Sequence, residues 1–311
     1  MNTKGLKLKE KLEKTGYFPT EDILYGLQAA CDPDIGLPLL VSGSPGVGKT
    51  SLALALAEAL KMPLIRLTLY SGIHAEDMLY DYDYTRQLLS LNAIQKNINK
   101  SIKDLSVQDS LKKIIHEVDF FDENFILERP ILRSITAQKR CVLLIDEVDK
   151  ADAETENILL EFLDSYSITI PQYGTIKAQK GKRPIVIITS NNYRELSDTF
   201  KRRCAYLYIE KQDREQLSRI FESRLHIEEN PKFIEQLTDY YIQIRDIEPE
   251  LRQTPSVAEA ISWGNFLLNC FGAEEQDLEP AQMLPTLCML LKNESDQKQV
   301  KDYLKSLSEK S

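Results

Sequence analysis

The chain has 311 residues, 42% hydrophobic and 28% charged, a balance that lets a globular protein bury a core without disulfides or a structural metal. Its formal net charge of −9 argues against non-specific binding to nucleic acid or to an acidic membrane surface. The five cysteines, Cys31, Cys141, Cys204, Cys270 and Cys288, include no C-x-x-C pair, and no apolar run is long enough to span a bilayer, so free thiols in a reducing cytoplasm are expected and no membrane partner is.

The polar, Lys-rich residues 1–14 lack the apolar stretch of a signal peptide. Residues 37–42 are a short apolar run ending in a Gly-rich loop, and residues 49–60, KTSLALALAEAL, are helix formers closed off by Met62-Pro63. Residues 64–70 read as a second strand. A polar, helix-like insertion is expected at about 85–128. Residues 141–145 and 185–188 are unbroken apolar runs of the kind buried on both faces of a parallel sheet, and 205–209 reads as a fifth strand. Residues 167–182 alternate around a turn at 172–174 and predict a hairpin, which Pro171 confines to an edge. Cys141 and Cys204 sit beside apolar runs and read as small core residues.

Beyond residue 213 the pattern is helical throughout: 214–225, 231–244, 256–270 and 283–291, with Ser256 and Glu259 spaced as a capping box. The tail from 292 to 311 is polar and predicts at most a fraying helix. The expected fold class is α/β: an αβα parallel-sheet core over residues 1–212 with right-handed crossovers, followed by a small all-helical lid domain over 213–311.

Four motifs carry chemistry. Gly43-Ser44-Pro45-Gly46-Val47-Gly48-Lys49-Thr50 fits G-x-x-x-x-G-K-[ST] in full. In such a P-loop the curled backbone and the helix start cradle phosphates, extending here to Ser51. Lys49 supplies charge to the β- and γ-phosphates of ATP, and Thr50 ligates Mg²⁺. At the end of the 141–145 run, Asp146 is placed to hold Mg²⁺, directly or through water, and Glu147 to orient and polarise the attacking water. Asn191 tips the next buried strand, where an amide can reach the γ-phosphate or the water; by itself this is also an ordinary turn residue. Arg202 and Arg203 precede the fifth strand, where a guanidinium can reach a neighbouring subunit's γ-phosphate. Tyr80, Tyr82 and Tyr84 alternate with acids; aromatic packing onto the core outweighs a client-gripping surface.

In this order the motifs resemble those of an AAA+ ATPase: Walker A at 43–50, Walker B at 143–147, sensor 1 at Asn191, and an arginine finger at Arg202 or Arg203. Leu144-Ile145-Asp146-Glu147-Val148-Asp149-Lys150-Ala151-Asp152 resembles the signature of the MoxR family. Segments 125–132, 168–171, 189–191 and 194–198 resemble MoxR ATPases of the CoxD kind. The resemblance spans roughly residues 16–263. It implies a pre-sensor-1 hairpin at 167–182, a helix-2 insertion, a homo-hexameric ring and a von Willebrand factor A (VWA) domain partner. It also implies chaperone-like remodelling of a client protein, or maturation of a client's metal centre as for carbon monoxide dehydrogenase. One departure stands out. Thr254-Pro255 is followed by Ser256 where that family's sensor 2 places an arginine, and Arg252 is out of register, so no sensor 2 is assigned. A P-loop kinase and a slow nucleotide-dependent binding switch are the alternatives; the Asp146-Glu147 pair, the Asn191-tipped strand and the helical C-terminal region weigh against the kinase, and Glu147 against the switch.

Overall fold

The computed structural model describes residues 3–90, 92, 123–171, 173–225, 231–271 and 278–308. In chain order the strands are β1 (Leu39–Ser42), β2 (Leu64–Thr68), β3 (Tyr80–Tyr82), β4 (Ile126–Glu128), β5 (Val142–Asp146), β6 (Ser167–Ile170), β7 (Gly174–Lys177), β8 (Ile185–Ser190) and β9 (Ala205–Tyr208). Five of them form a parallel sheet in the order β2-β5-β8-β1-β9. β5 and β8 are buried along their whole length, which is why their sequences are unbroken apolar runs rather than alternating ones. β2 is an edge strand and does alternate: Ile65 and Leu67 point inward, Arg66 and Thr68 outward. β8 runs two residues beyond its apolar stretch, through Thr189 to Ser190, and β5 takes in Asp146 as its last residue.

Contacts divide the chain into two compact units. One comprises Met1–Gln28, Val41–Lys61 and Tyr206–Ser311, the other Ala29–Leu40 and Met62–Ala205. The second unit has its core around Leu143, Ile145, Val186, Ile188, Phe162 and Phe200. β6 and β7 form the expected antiparallel hairpin, with Ile168 opposite Ile176, and Pro171 lies just past the end of β6, where it removes no ladder hydrogen bond. A second antiparallel pair, β3 with β4, was not anticipated. Most of the insertion expected at about 85–128 lies outside the described residues; its last residues form β4. Tyr80 and Tyr82 pack against the core and meet edge to face at 5.9 Å, whereas Tyr84 is exposed. Cys141 is buried as expected, and Cys204 is half-buried.

The first unit gathers the helices Arg214–Leu225, Pro231–Arg245, Val257–Phe271 and Glu294–Ser308 on a core of Leu217, Phe221, Tyr241, Trp263 and Leu304. Ser256 and Glu259 form the expected capping box: Glu259 N–H donates to Ser256 Oγ at 3.2 Å, and Ser256 N–H donates to Glu259 Oε2 at 2.8 Å. Two expectations are corrected here. The helix foreseen at 283–291 is broken into Pro280–Met283, a 3₁₀ turn Leu284–Thr286 and Leu287–Leu290. Pro285 has no N–H to give and its ring clashes with the preceding turn. The tail does form a last helix, Glu294–Ser308, but one anchored on the core rather than fraying. Val300 and Leu304 are fully buried, and the Asp296 carboxylate accepts the N–H groups of Arg252 and Gln253, each at 3.1 Å.

Candidate functional site

In the first unit, β1 leads into the loop of residues 43–48 and then the helix Lys49–Leu60. Two glycines set the loop's path. At Gly43 (φ 151°) a Cβ would fall 2.4 Å from the carbonyl oxygen of Ile209, and at Gly46 (φ 83°) it would fall 2.6 Å from Ser256 Cβ. Only a residue without a side chain follows this path, so the loop turns its backbone inward. Lys49 is buried and its ammonium donates to the carbonyls of Gly43 at 2.7 Å and Ser44 at 2.8 Å, which places the charge within the loop's curl. Gly48, the N-cap of the helix, has no side chain to cap the first-turn amides, to which Lys49, Thr50 and Ser51 belong. A loop of inward amides, a helix start and an enclosed ammonium fits a polyphosphate. Pro45 and Ser51 are exposed and Val47 is buried.

Residues outside the motif hold this loop. Gln212 Nε2 donates to the Val47 carbonyl at 2.7 Å, and Arg245 Nη1 donates to the Gln212 carbonyl at 2.7 Å. Tyr17 lies against Gly48, and burial pushes its phenol well above the usual range. Ser256, at the position where the MoxR pattern places a sensor 2 arginine, crowds Gly46 with its Cβ and Cα.

In the second unit, β5 and β8 carry the acidic edge. Asp146 is 3% exposed; Thr189 Oγ1 donates to its Oδ1 at 2.6 Å and Arg66 Nη2 to its Oδ2 at 2.5 Å. The carboxylate itself is a hard oxygen ligand of the kind a small divalent cation takes. Glu147 adopts a left-handed backbone (φ 62°, ψ 48°), rare for a non-glycine residue, and its N–H donates to Thr189 Oγ1 at 2.9 Å. Lys150 Nζ donates to Glu147 Oε2 at 2.8 Å, and this bond raises the Lys150 pKa above its ordinary value. Thr189 therefore touches both acids, a role its place just past an apolar run did not signal.

The acids that follow pin the loop after β8. Asp149 is buried and its Oδ2 accepts the N–H groups of Asn191 at 3.1 Å and Tyr193 at 2.9 Å, while Oδ1 has no hydrogen-bond partner among the described residues. Glu156, also buried, accepts from Arg194 Nη2 at 3.0 Å and from Ser197 N at 2.9 Å. Ser197 caps the short helix Asp198–Lys201, and Arg202 follows. Arg202 is exposed and its side chain makes no hydrogen bond or ion pair among the described residues. Arg203 is engaged: it grips Asp164 through Nε and Nη2, holding that carboxyl below its usual pKa, and donates from Nη1 to the Thr199 carbonyl at 3.1 Å.

Residues 39–210, more than half of the chain, match the family described as the ATPase family associated with various cellular activities (AAA). Midasin of Giardia intestinalis is 22% identical over 138 residues, which cover 44% of this chain but only 3% of Midasin. The structure of the Thermotoga maritima RuvB Holliday junction branch migration motor is similar over 90% of this chain and 68% of that one, with a TM-score of 0.44 and 15% identity.

Proposed function

The chain belongs to the AAA family of ATPases and is an ATP hydrolase, and from that premise we propose that it is a MoxR-type, Mg²⁺-dependent machine that remodels a client protein or matures its metal centre alongside a VWA-domain partner. Residues 1–212 form its nucleotide-binding domain and 213–311 its helical lid. Residues 43–51 hold the phosphates of ATP, with Lys49 countering their charge. Thr50 and Asp146 hold Mg²⁺, which neutralises charge on the phosphates when bound. Glu147 polarises the attacking water and Asn191 orients it. Subunits assemble as a homo-hexameric ring, and Arg202, exposed and free of partners among the described residues, reaches the neighbour's γ-phosphate while Arg203 secures its base on Asp164. Among the described residues no helix is long and apolar enough to cross a membrane, and the net charge of −9 disfavours nucleic acid; we place the protein in the cytoplasm.

The observation that carries this reading is the run of buried acids after Glu147. Asp149 and Glu156 bind the segment that bears Asn191 and leads to Arg202, which supports mechanical coupling of the hydrolytic edge to a neighbouring subunit. The test is phosphate release measured across protein concentration, with Arg202→Ala and Arg203→Ala alongside. Turnover per subunit should rise with concentration and be lost in Arg202→Ala. Concentration-independent turnover in a strictly monomeric sample overturns the ring.

A further inference from the structure

Arg66 lies outside every motif, yet it makes the 2.5 Å contact with Asp146. In the register of the edge pair, Thr68 stands opposite Asp146 and Arg66 opposite Leu144, so the guanidinium runs along the sheet face toward the strand end to reach the carboxylate. The two partners are unequally placed. The Asp146 side chain is 4% exposed and is also held by Thr189, whereas the Arg66 side chain is 53% exposed on an edge strand. A buried carboxylate stripped of its counter-charge is strongly destabilised, but a half-exposed guanidinium returns to water at little cost. The arginine is therefore the partner that can leave, and a divalent ion can take its place beside the carboxylate.

We propose that Arg66 competes with Mg²⁺ for Asp146, so that the guanidinium and the divalent ion are alternative counter-ions for one carboxylate and Arg66 sets the Mg²⁺ concentration at which nucleotide is bound productively. A Mg²⁺ ion bound directly to a carboxylate oxygen would sit about 2.0–2.1 Å from it, and one bound through water would lie a water's width further out. A guanidinium hydrogen-bonded to that same oxygen would face a divalent charge at close range in a low-dielectric setting, and the two repel. Thr189 keeps its hold on Oδ1 with either cation, which preserves the acid's orientation through the exchange. This inference rests on the reading of Asp146 as a cation holder.

The experiment measures binding of a fluorescent non-hydrolysable ATP analogue to the full chain as free Mg²⁺ is varied, and again in EDTA, for the wild type, Arg66→Ala, Arg66→Lys and Asp146→Asn. Arg66→Ala should lower the Mg²⁺ concentration for half-maximal enhancement about tenfold, the scale of one hydrogen bond to a charged group, and leave affinity in EDTA unchanged. Its melting temperature should fall in EDTA and return toward wild type with saturating Mg²⁺ and analogue. Arg66→Lys, which keeps a charge with shorter reach, should shift in the same direction by less and serves if the alanine variant does not fold. An unchanged or higher Mg²⁺ requirement overturns the competition. So does a loss of affinity in EDTA, which would make Arg66 a nucleotide contact. If Asp146→Asn keeps the wild-type Mg²⁺ requirement, the reading of Asp146 itself fails, whatever Arg66 does.

Discussion

The phosphate loop and the acidic edge are built from different materials. Around the loop the decisive contacts involve main chain: Lys49 on two carbonyls, Gln212 on the Val47 carbonyl, and Ser256 Cβ and Cα against the Gly46 backbone. Along the acidic edge pairs of charged side chains are added to such contacts: Arg66 with Asp146, Lys150 with Glu147, Arg194 with Glu156 and Arg203 with Asp164. A loop defined by backbone path has one working shape, and a side chain added to it is a steric fault. An edge defined by charge pairs can exchange partners, because an ion pair yields to a competing ion. The first region is suited to holding a ligand and the second to responding to one.

The largest effects should separate these roles. Glu147→Gln should reduce phosphate release by about 10²- to 10⁴-fold while leaving nucleotide binding intact, since a carboxamide cannot accept the water's proton. Full turnover in that variant would remove Glu147 from the chemistry. Lys49→Ala should instead weaken nucleotide affinity by roughly 10- to 100-fold, the loss of charged hydrogen bonds to phosphate; unchanged affinity would sink the cradle.

A smaller effect probes the backbone side of the comparison. Gly46→Ala places a Cβ 2.6 Å from Ser256 Cβ at a φ of 83°. It should cost about 1–3 kcal/mol in thermal or denaturant unfolding. Adding Ser256→Gly removes the opposing Cβ and should recover part of that loss, leaving the backbone strain and the 2.9 Å approach to the Ser256 Cα. No recovery would mean that the Ser256 Cβ is not its source.

The mildest test uses the thiols. Cys270 and Cys288, in the first unit, are exposed. In the second unit burial pushes the thiols of Cys31 and Cys141 up to about 11 and that of Cys204 up to about 12. Because thiolate is the reactive form, a brief maleimide treatment of the native protein near pH 8 should label Cys270 and Cys288 alone by mass spectrometry. Rapid labelling of Cys204 would show that this end of the second unit opens.

Much of the fold was legible because the signals were local and strong. The helix at 49–60 was foreseen with its observed bounds from helix formers between a glycine and a proline, and β5 and β8 were foreseen from unbroken apolar runs. The hairpin was legible in its alternation, although Gly174, expected in the turn, is the first residue of β7 and pairs with Ile170. What misled was context. The polar tail carries buried Val300 and Leu304 at a spacing too sparse to stand out, and Pro285 broke a segment whose apolar content had masked it.

The site divides the same way. The sequence by itself determined the residue types and their spacing: the glycine pattern with Lys49 and Thr50, the adjacent acids Asp146 and Glu147, the polar tip at Asn191, and a basic pair at Arg202 and Arg203. Such motifs are contiguous because one turn or one strand end must present them together. Tertiary structure alone decided the strand order β2-β5-β8-β1-β9, and with it that Arg66 and Thr189 flank Asp146 across 80 and 43 residues of sequence. It also decided that Arg203 is tied to Asp164 while Arg202 stands free of partners among the described residues. Hydrogen bonds and ion pairs depend on distance in space, and a chain that returns to the same sheet edge from far-separated segments leaves no local pattern to announce them.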